Sequence, residues 1–253
     1  MKPLYWIDSQ NFGDALNPFL YKAITGKEAK LPNHMLTHVV FGIGSIIHLA
    51  KPNDMVWGTG CMGEHLPPQC DHTTQVLAVR GPLTAWLLHK NGVPVPKIWA
   101  DPAILVPKYF TFEKSNHKQP SVIIPHYVDY EVVDRLEWDR DEYDLVSVTA
   151  GVVTVMNAIA TSKAVITSSL HALIVAEAYG VPAIWVEFSY GVTGSGFKFW
   201  DYYLSTFRVP PDPLDFRKEI DPDAIENALA DYVFPKWDYE KLRNRLLYSC
   251  PFV

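Results

Sequence analysis

Residues 163–187, KAVITSSLHALIVAEAYGVPAIWVE, hold two apolar strands, a polar turn and a helix, and their reading decides the fold. Residues 164–167 form a β-branched apolar run and residues 182–186 a second, while Leu170, Leu173, Ile174 and Ala178 between them recur at helical spacing. Strands buried on both faces read as continuous apolar runs, so the stretch predicts a βαβ unit of a parallel sheet. Ser168 and Ser169 fall where the first strand stops and the helix starts. There a hydroxyl can cap N–H groups that lack an intrahelical partner, and the positive end of the helix dipole attracts an anion. His171 lies in that first turn. Two readings stand side by side: capping serines with a surface histidine, or a phosphate-sized anion site with a proton donor beside it. Gly180 suits the left-handed residue that closes a helix, and Pro182 prevents continuation.

A chain of 253 residues with 48% hydrophobic content can bury a large core and divide into two compact lobes. Its net charge of −6, with no run of Lys and Arg, argues against a nucleic-acid partner. The opening MKPLYWIDSQNFGD has no apolar leader, and the longest apolar run, residues 39–50, is too short and too glycine-containing to span a bilayer. These features predict a soluble, cytoplasmic protein without a transmembrane segment. Cys61, Cys70 and Cys250 are odd in number and lack metal-ligand spacing, which predicts reduced thiols and no metal.

From the N-terminus, LYWI at residues 4–7 predicts a strand, residues 8–14 a turn, and residues 15–24 a helix with Pro18 in its first turn. Asn11, Gly13 and Asp14 then occupy a β-to-α loop, the edge of an α/β sheet where ligands bind, although Asp14 also suits a helix cap or first-turn acid. HVVF at residues 38–41 and MVW at residues 55–57 are further strands, each followed by glycines. Gly58-Thr59-Gly60-Cys61-Met62-Gly63 matches a dinucleotide fingerprint in form only. Residues 64–68, EHLPP, cannot open the required helix, and no acid between Asp71 and Asp101 could hold a ribose. These glycines instead let backbone approach a ligand or a neighbouring strand.

Arg80 follows a strand at residues 75–79 and precedes a helix at residues 83–90. Its guanidinium could fork onto a phosphate or carboxylate, or form a salt bridge with Asp101 or Asp14. A fifth strand at residues 95–99 leads to Asp101-Pro102-Ala103. PKYFTFEKSNHKQP, residues 107–120, reads as a linker between a lobe of residues 1–110 and a lobe of residues 121–253. The second lobe adds strands at 121–125 and 143–148, a helix at 152–160, the βαβ unit, a GVTGSG segment at 191–196 that is either a substrate-closing loop or a surface turn, and helices at 221–232 and 238–248.

The ordered set Asn11-Phe12-Gly13-Asp14, Gly42-Ile43-Gly44-Ser45, Gly58-Thr59-Gly60, Ala78-Val79-Arg80-Gly81-Pro82, Asp101-Pro102-Ala103, Ser169-Leu170-His171-Ala172 and residues 176–182, AEAYGVP, resembles the polysaccharide pyruvyl transferase family. The resemblance implies an α/β fold of two Rossmann-like lobes similar to GT-B glycosyltransferases, with parallel sheets and a cleft between them. It also implies transfer of the enolpyruvyl group of phosphoenolpyruvate, a co-substrate, to a sugar as a cyclic ketal. The acceptor would be a polysaccharide or its lipid-linked precursor, the latter placing the protein peripherally at the inner face of the membrane. Many members carry an arginine where this chain has Ser169, so either Ser169 and the helix start hold the anion unaided or a cation such as Lys198 compensates.

Such chemistry needs anion binding, a proton donor and a base. Arg80, Ser168, Ser169 and Leu170 would supply the first, His171 the second, and Asp14, with Asn11 beside it, would orient or deprotonate the acceptor hydroxyl. No step requires a metal or an organic cofactor. A nucleotide-sugar glycosyltransferase and a non-catalytic glycan-binding module share the same two-lobe expectation.

Overall fold

A computed structural model of the chain describes residues 2–64, 69–113, 120–236 and 238–253. The first half contains β1 (Leu4–Tyr5), α1 (Phe12–Thr25), β2 (Val40–Phe41), β3 (Met55–Trp57), β4 (Gln75–Ala78), α2 (Pro82–Lys90) and α3 (Val106–Tyr109). The second contains β5 (Ser121–Ile124), α4 (Tyr130–Arg135), β6 (Tyr143–Leu145), α5 (Val152–Thr161), β7 (Val165–Thr167), α6 (Leu170–Ala178), β8 (Ala183–Glu187), α7 (Phe197–Ser205), β9 (Leu214–Asp215), α8 (Pro222–Ala230) and α9 (Tyr239–Tyr248).

The expected α/β class with two parallel sheets is present. A four-stranded sheet has the order β1-β2-β3-β4, and a five-stranded sheet has the order β6-β5-β7-β8-β9. Every pairing is parallel, with Val122 opposite Val165 and Ile166 opposite Ile184 in the second sheet. The order of the second sheet reverses at β5, so connections leave β5 and β7 toward opposite sides and a crevice opens at their carboxyl ends. Thr167 ties those two ends together by donating from Oγ1 to the Ile124 carbonyl at 2.5 Å. The first sheet runs in sequential order and has no such reversal.

One apolar core serves both sheets. Leu4, Val40 and Trp57 of the first and Val122, Ile124 and Val165 of the second join Phe12 and Leu16 of α1 and Leu173 and Ile174 of α6. The first N–H of α1 crosses to the other half, donating from Phe12 to the Val148 carbonyl at 2.8 Å. The last helix crosses back: Trp57 Nε1 donates to the Leu246 carbonyl at 3.0 Å, and Arg243 donates to the carbonyls of Ile104 and Ala178, both at 2.8 Å.

Three expectations change. α1 begins at Phe12 rather than residue 15, which moves Pro18 into the helix interior. The carbonyl of Asp14, deprived of a partner N–H by Pro18, accepts from Asn17 Nδ2 at 3.2 Å. The fifth strand shrinks to a single bridge between Val79 and Trp99, because Pro94 and Pro96 have no N–H to give a ladder. Part of the expected linker is helical, as α3; residues 114–119 of that linker, and residues 65–68 of the EHLPP segment, lie outside the described residues. Among the described residues no helix is long and apolar enough to cross a membrane.

Candidate active site at the sheet reversal

Three strand ends are stitched together where the second sheet reverses. Ser168, just past β7, accepts from the His126 N–H at 2.9 Å and donates to Asp129 Oδ2 at 2.6 Å. The other oxygen of this fully buried carboxylate accepts from Ser189, just past β8. The Ser168 hydroxyl proton, expected at an anion, is therefore committed to Asp129. Ser169 has the extended backbone of a helix N-cap, φ −98° and ψ 117°, yet its side chain makes no capping bond. The first turn of α6 is left with N–H groups that no side chain among the described residues caps. Leu170 of that turn is buried in the shared core and contributes packing plus its backbone.

His171 is the second residue of α6. Its Nε2 lies 3.6 Å from Oδ2 of Asp101, and the Asp101 side chain is fully buried while that of His171 is 12% exposed. Neither atom has a hydrogen-bond partner among the described residues. Asp101 is held from behind, since its Oδ1 accepts from the Ala103 N–H at 2.9 Å. The imidazole is pressed on its other side by α1: a Cβ added to Gly13 would lie 2.1 Å from His171 Nδ1. Gly13 is thus a close-approach glycine that lets the first half reach the histidine of the second. Next to it, Asp14 Oδ2 accepts from Ser9 Oγ at 2.7 Å and from Asn11 Nδ2 at 3.1 Å. Asn11 therefore acts on Asp14, orienting its carboxylate.

Arg80 departs from both of its sequence readings. It is fully buried, and its donors go to Asp201 Oδ2 from Nε at 3.0 Å, to Ser45 Oγ at 2.6 Å and to the Cys61 carbonyl at 2.6 Å. Asp201 of α7 also accepts from Leu83 N and Thr84 N, at 2.9 and 3.0 Å, and so caps α2 across the fold. The guanidinium locks α7 onto α2, and its partner is neither Asp101 nor Asp14. Gly60, of the fingerprint-like segment, packs against that guanidinium.

Lys198, in the first turn of α7, is buried, and its ammonium makes no hydrogen bond or ion pair among the described residues. Burial, helped by the Arg80 charge, pushes its pKa down to about 8 against the pull of Asp129 and Asp14. His126 beside it is pushed down to about 3 by burial and by the neighbouring Lys198 and His171, so its imidazole is neutral. Sequence reasoning missed His126 and Asp129. The signal was present, because PHYVD at residues 125–129 directly follows the apolar strand β5. Gly194 of the GVTGSG segment packs on the Met62 carbonyl, so this turn touches the first half just before Lys198. The three cysteines are free and buried, and burial pushes Cys61 up to about 12 and Cys70 to about 11, which removes them as nucleophiles. Among the described residues no cluster of His, Cys, Asp and Glu could hold a metal ion.

The carboxyl ends of both sheets thus bring together Asp14, Asp101, His126, His171 and Lys198. A model of the polysaccharide pyruvyl transferase family matches residues 9–190, which include all of these except Lys198. The chain belongs to that family. This pyruvyltransferase acts on a saccharide acceptor. Among its relatives, an uncharacterized protein of Acanthamoeba polyphaga mimivirus is 30% identical over 220 residues, covering 82% of this chain and 75% of the relative. The succinoglycan biosynthesis protein ExoV of Rhizobium meliloti is 28% identical over 232 residues, covering 87% of this chain and 70% of the relative. No solved structure matches. In this pyruvyltransferase Ser169 precedes Leu170-His171, and the ammonium of Lys198 makes no hydrogen bond or ion pair among the described residues.

Proposed function

We propose that the enzyme moves the enolpyruvyl group of phosphoenolpyruvate onto two hydroxyls of a saccharide, forming a pyruvate ketal and releasing phosphate. The observation that carries this reading is the His171–Asp101 pair, whose facing atoms stand 3.6 Å apart and have no hydrogen-bond partner among the described residues, at the start of a helix whose N-cap side chain makes no capping bond. Lys198, Ser169 and the first-turn N–H groups of α6 hold the donor's phosphate and carboxylate. Asp101 steadies Nε2–H of His171, and Nδ1 delivers a proton to the methylene carbon, leaving an oxocarbenium-like centre at the neighbouring carbon. An acceptor hydroxyl attacks that centre as Asp14 takes its proton; a second hydroxyl then displaces phosphate and closes the ring. Neutral His126 offers that second hydroxyl a hydrogen-bond acceptor. Arg80 serves by fixing α7, and hence Lys198, in place. No step of this scheme calls for a metal or an organic cofactor.

The name of the ExoV relative, a succinoglycan biosynthesis protein, supports a polysaccharide as the end product, and our reading places the acceptor as that polysaccharide or its lipid-linked precursor, met in the cytoplasm. We read the two sheets as GT-B-like lobes of residues 1–110 and 121–253, the first on the acceptor side and the second on the donor side. Thermal shift separates the donor classes, because a ligand at a hundred times its Kd stabilises by about 2.7 kcal/mol. Phosphoenolpyruvate should raise the Tm and UDP-sugars should not. In D₂O the transferred methyl group should gain deuterium. A Tm response to a nucleotide sugar alone would make the chain a glycosyltransferase, and a response to glycan alone a binding module.

A further inference from the structure

α7 ends in a pair of bonds, Phe207 N to Leu204 O at 3.1 Å and Arg208 N to Tyr203 O at 3.3 Å, that close a helix around one left-handed residue. α6 ends the same way around Gly180, φ 74°, which costs glycine nothing. At the end of α7 the left-handed residue is Phe207, φ 57°, where a bulky side chain is a rare outlier. The strain is held in place: Arg208, the next residue, donates to both oxygens of buried Glu177 at 2.8 and 2.7 Å and to the Val233 carbonyl at 2.9 Å. The ring so held is not packed away. Phe207 is 73% exposed, with Val209 at 89% and Val233 at 54% around it.

Phe207 and Lys236 line two adjoining cavities, of about 550 and 470 Å³. The second is also lined by Lys97, Lys241 and Arg245. None of these four cations is in an ion pair among the described residues. Of the acids nearby, Asp238 caps α9 by accepting from the Lys241 N–H at 2.9 Å, Glu240 pairs with Lys108 at 3.8 Å, and Asp212 and Asp231 line the first cavity with Lys236. Lys241, Arg245 and Tyr248 follow at i, i+4 and i+7 along one stripe of α9, and Tyr248 is 96% exposed. In a chain of net charge −6, four cations without an ion pair among the described residues thus gather beside a strained, projecting apolar tip.

We propose that this face docks on an anionic lipid bilayer, with Phe207 and Val209 entering the acyl boundary and Lys97, Lys236, Lys241 and Arg245 contacting headgroups. Apolar tips ringed by lysine and arginine match a surface that is hydrocarbon beneath and negative on top, and no soluble polyanion uses the apolar part. α7 then spaces the bilayer from the cleft: from Phe207 to Lys198 at its other end is roughly 14 Å at 1.5 Å per residue. This proposal does not depend on the identity of the donor.

The test is co-sedimentation of the full chain with vesicles of phosphatidylcholine alone or with a third phosphatidylglycerol. Binding is expected to the anionic vesicles and to fall as ionic strength rises from about 0.1 M to about 1 M, where the screening length shrinks from ~10 to ~3 Å. Lys236→Gln/Lys241→Gln should weaken it by roughly 25-fold, about five-fold per charge, while a charge-matched Lys27→Gln/Lys30→Gln control should not. Phe207→Gly should weaken it by roughly tenfold and leave the Tm unchanged or higher, because glycine relieves the left-handed strain. Absence of binding at low salt, equal binding to neutral vesicles, equal binding by the variants, or retention on heparin without vesicle binding would each overturn the proposal. Pyruvyl transfer to a soluble acceptor, measured in parallel, keeps a failure here distinct from a failure of the proposed reaction.

Discussion

Replacing Lys198 with methionine should make the protein more stable and much less able to bind its donor. The lysine is buried with its pKa at about 8 rather than 10.5, so its charge is disfavoured in the folded state. At about 1.4 kcal/mol per unit, the shift corresponds to a cost of about 3 kcal/mol at pH 7. Between pH 8 and 10.5 the unfolded chain keeps this proton and the folded chain has lost it, so wild-type stability gains from a rise in pH across that window. Lys198→Met removes the cost outright. Its Tm should exceed that of wild type by on the order of 6–12 °C at pH 7, at about 2–4 °C per kcal/mol for a chain of this size, and the difference should close by about pH 10.5. Subtracting the two melting curves cancels the titrating groups that the Lys198 charge does not reach, and above pH 8 His126, which that charge pushes down, is neutral in both proteins. The same variant loses charge-assisted bonds of about 1.5–3 kcal/mol to the donor, which raises the KM for phosphoenolpyruvate by about 10–100-fold. A variant that melts at or below wild type, with a difference that ignores pH, would refute the reasoning that function holds this charge in an unfavourable place.

His171→Gln should keep the fold and lower kcat by about 10²–10⁴-fold, read from steady-state kinetics; unchanged kcat would remove it from the acid role. Gly13→Ala would drive a methyl into the imidazole, so kcat should fall at least tenfold while a His171→Ala background should tolerate the same alanine, as thermal melts would reveal. Arg80→Met strands the Asp201 carboxylate and should cost about 3–5 kcal/mol in urea unfolding, with any change in KM secondary to loosened α7; a stable variant with a KM defect alone would restore a direct donor contact. Asp14→Asn should preserve the Tm response to phosphoenolpyruvate and depress turnover with acceptor, and loss of that response would reverse the assignment of sides.

Much of the local architecture was legible along the chain. The continuous apolar runs at residues 164–167 and 182–186 could only be strands buried on both faces, and Gly180 marked the end of α6 because left-handed backbone is a single-residue requirement. The strand-end rule also pointed to Asp14, Asp101 and His171, since residues just past parallel strands share one edge of the sheet. Where periodicity was interrupted, local reading slipped: Pro18 delayed the predicted start of α1 because the compensating Asn17 bond to the Asp14 carbonyl is a side-chain event that no helical pattern encodes.

What the sequence by itself determined, then, is the parallel α/β class, most element boundaries and the family, because these follow from side-chain period, turn chemistry and motifs whose members are near neighbours. The tertiary structure decided which polar groups are spent and which are free. Arg80 and Asp201 stand 121 residues apart, and only their meeting turns a presumed phosphate fork into an internal latch. The strand order β6-β5-β7 brings His126 and Asp129 to Ser168, taking the serine proton and leaving Lys198 as the cation. Hydrogen-bonding capacity is finite, so a residue's availability for chemistry depends on partners that sequence distance hides and folding supplies.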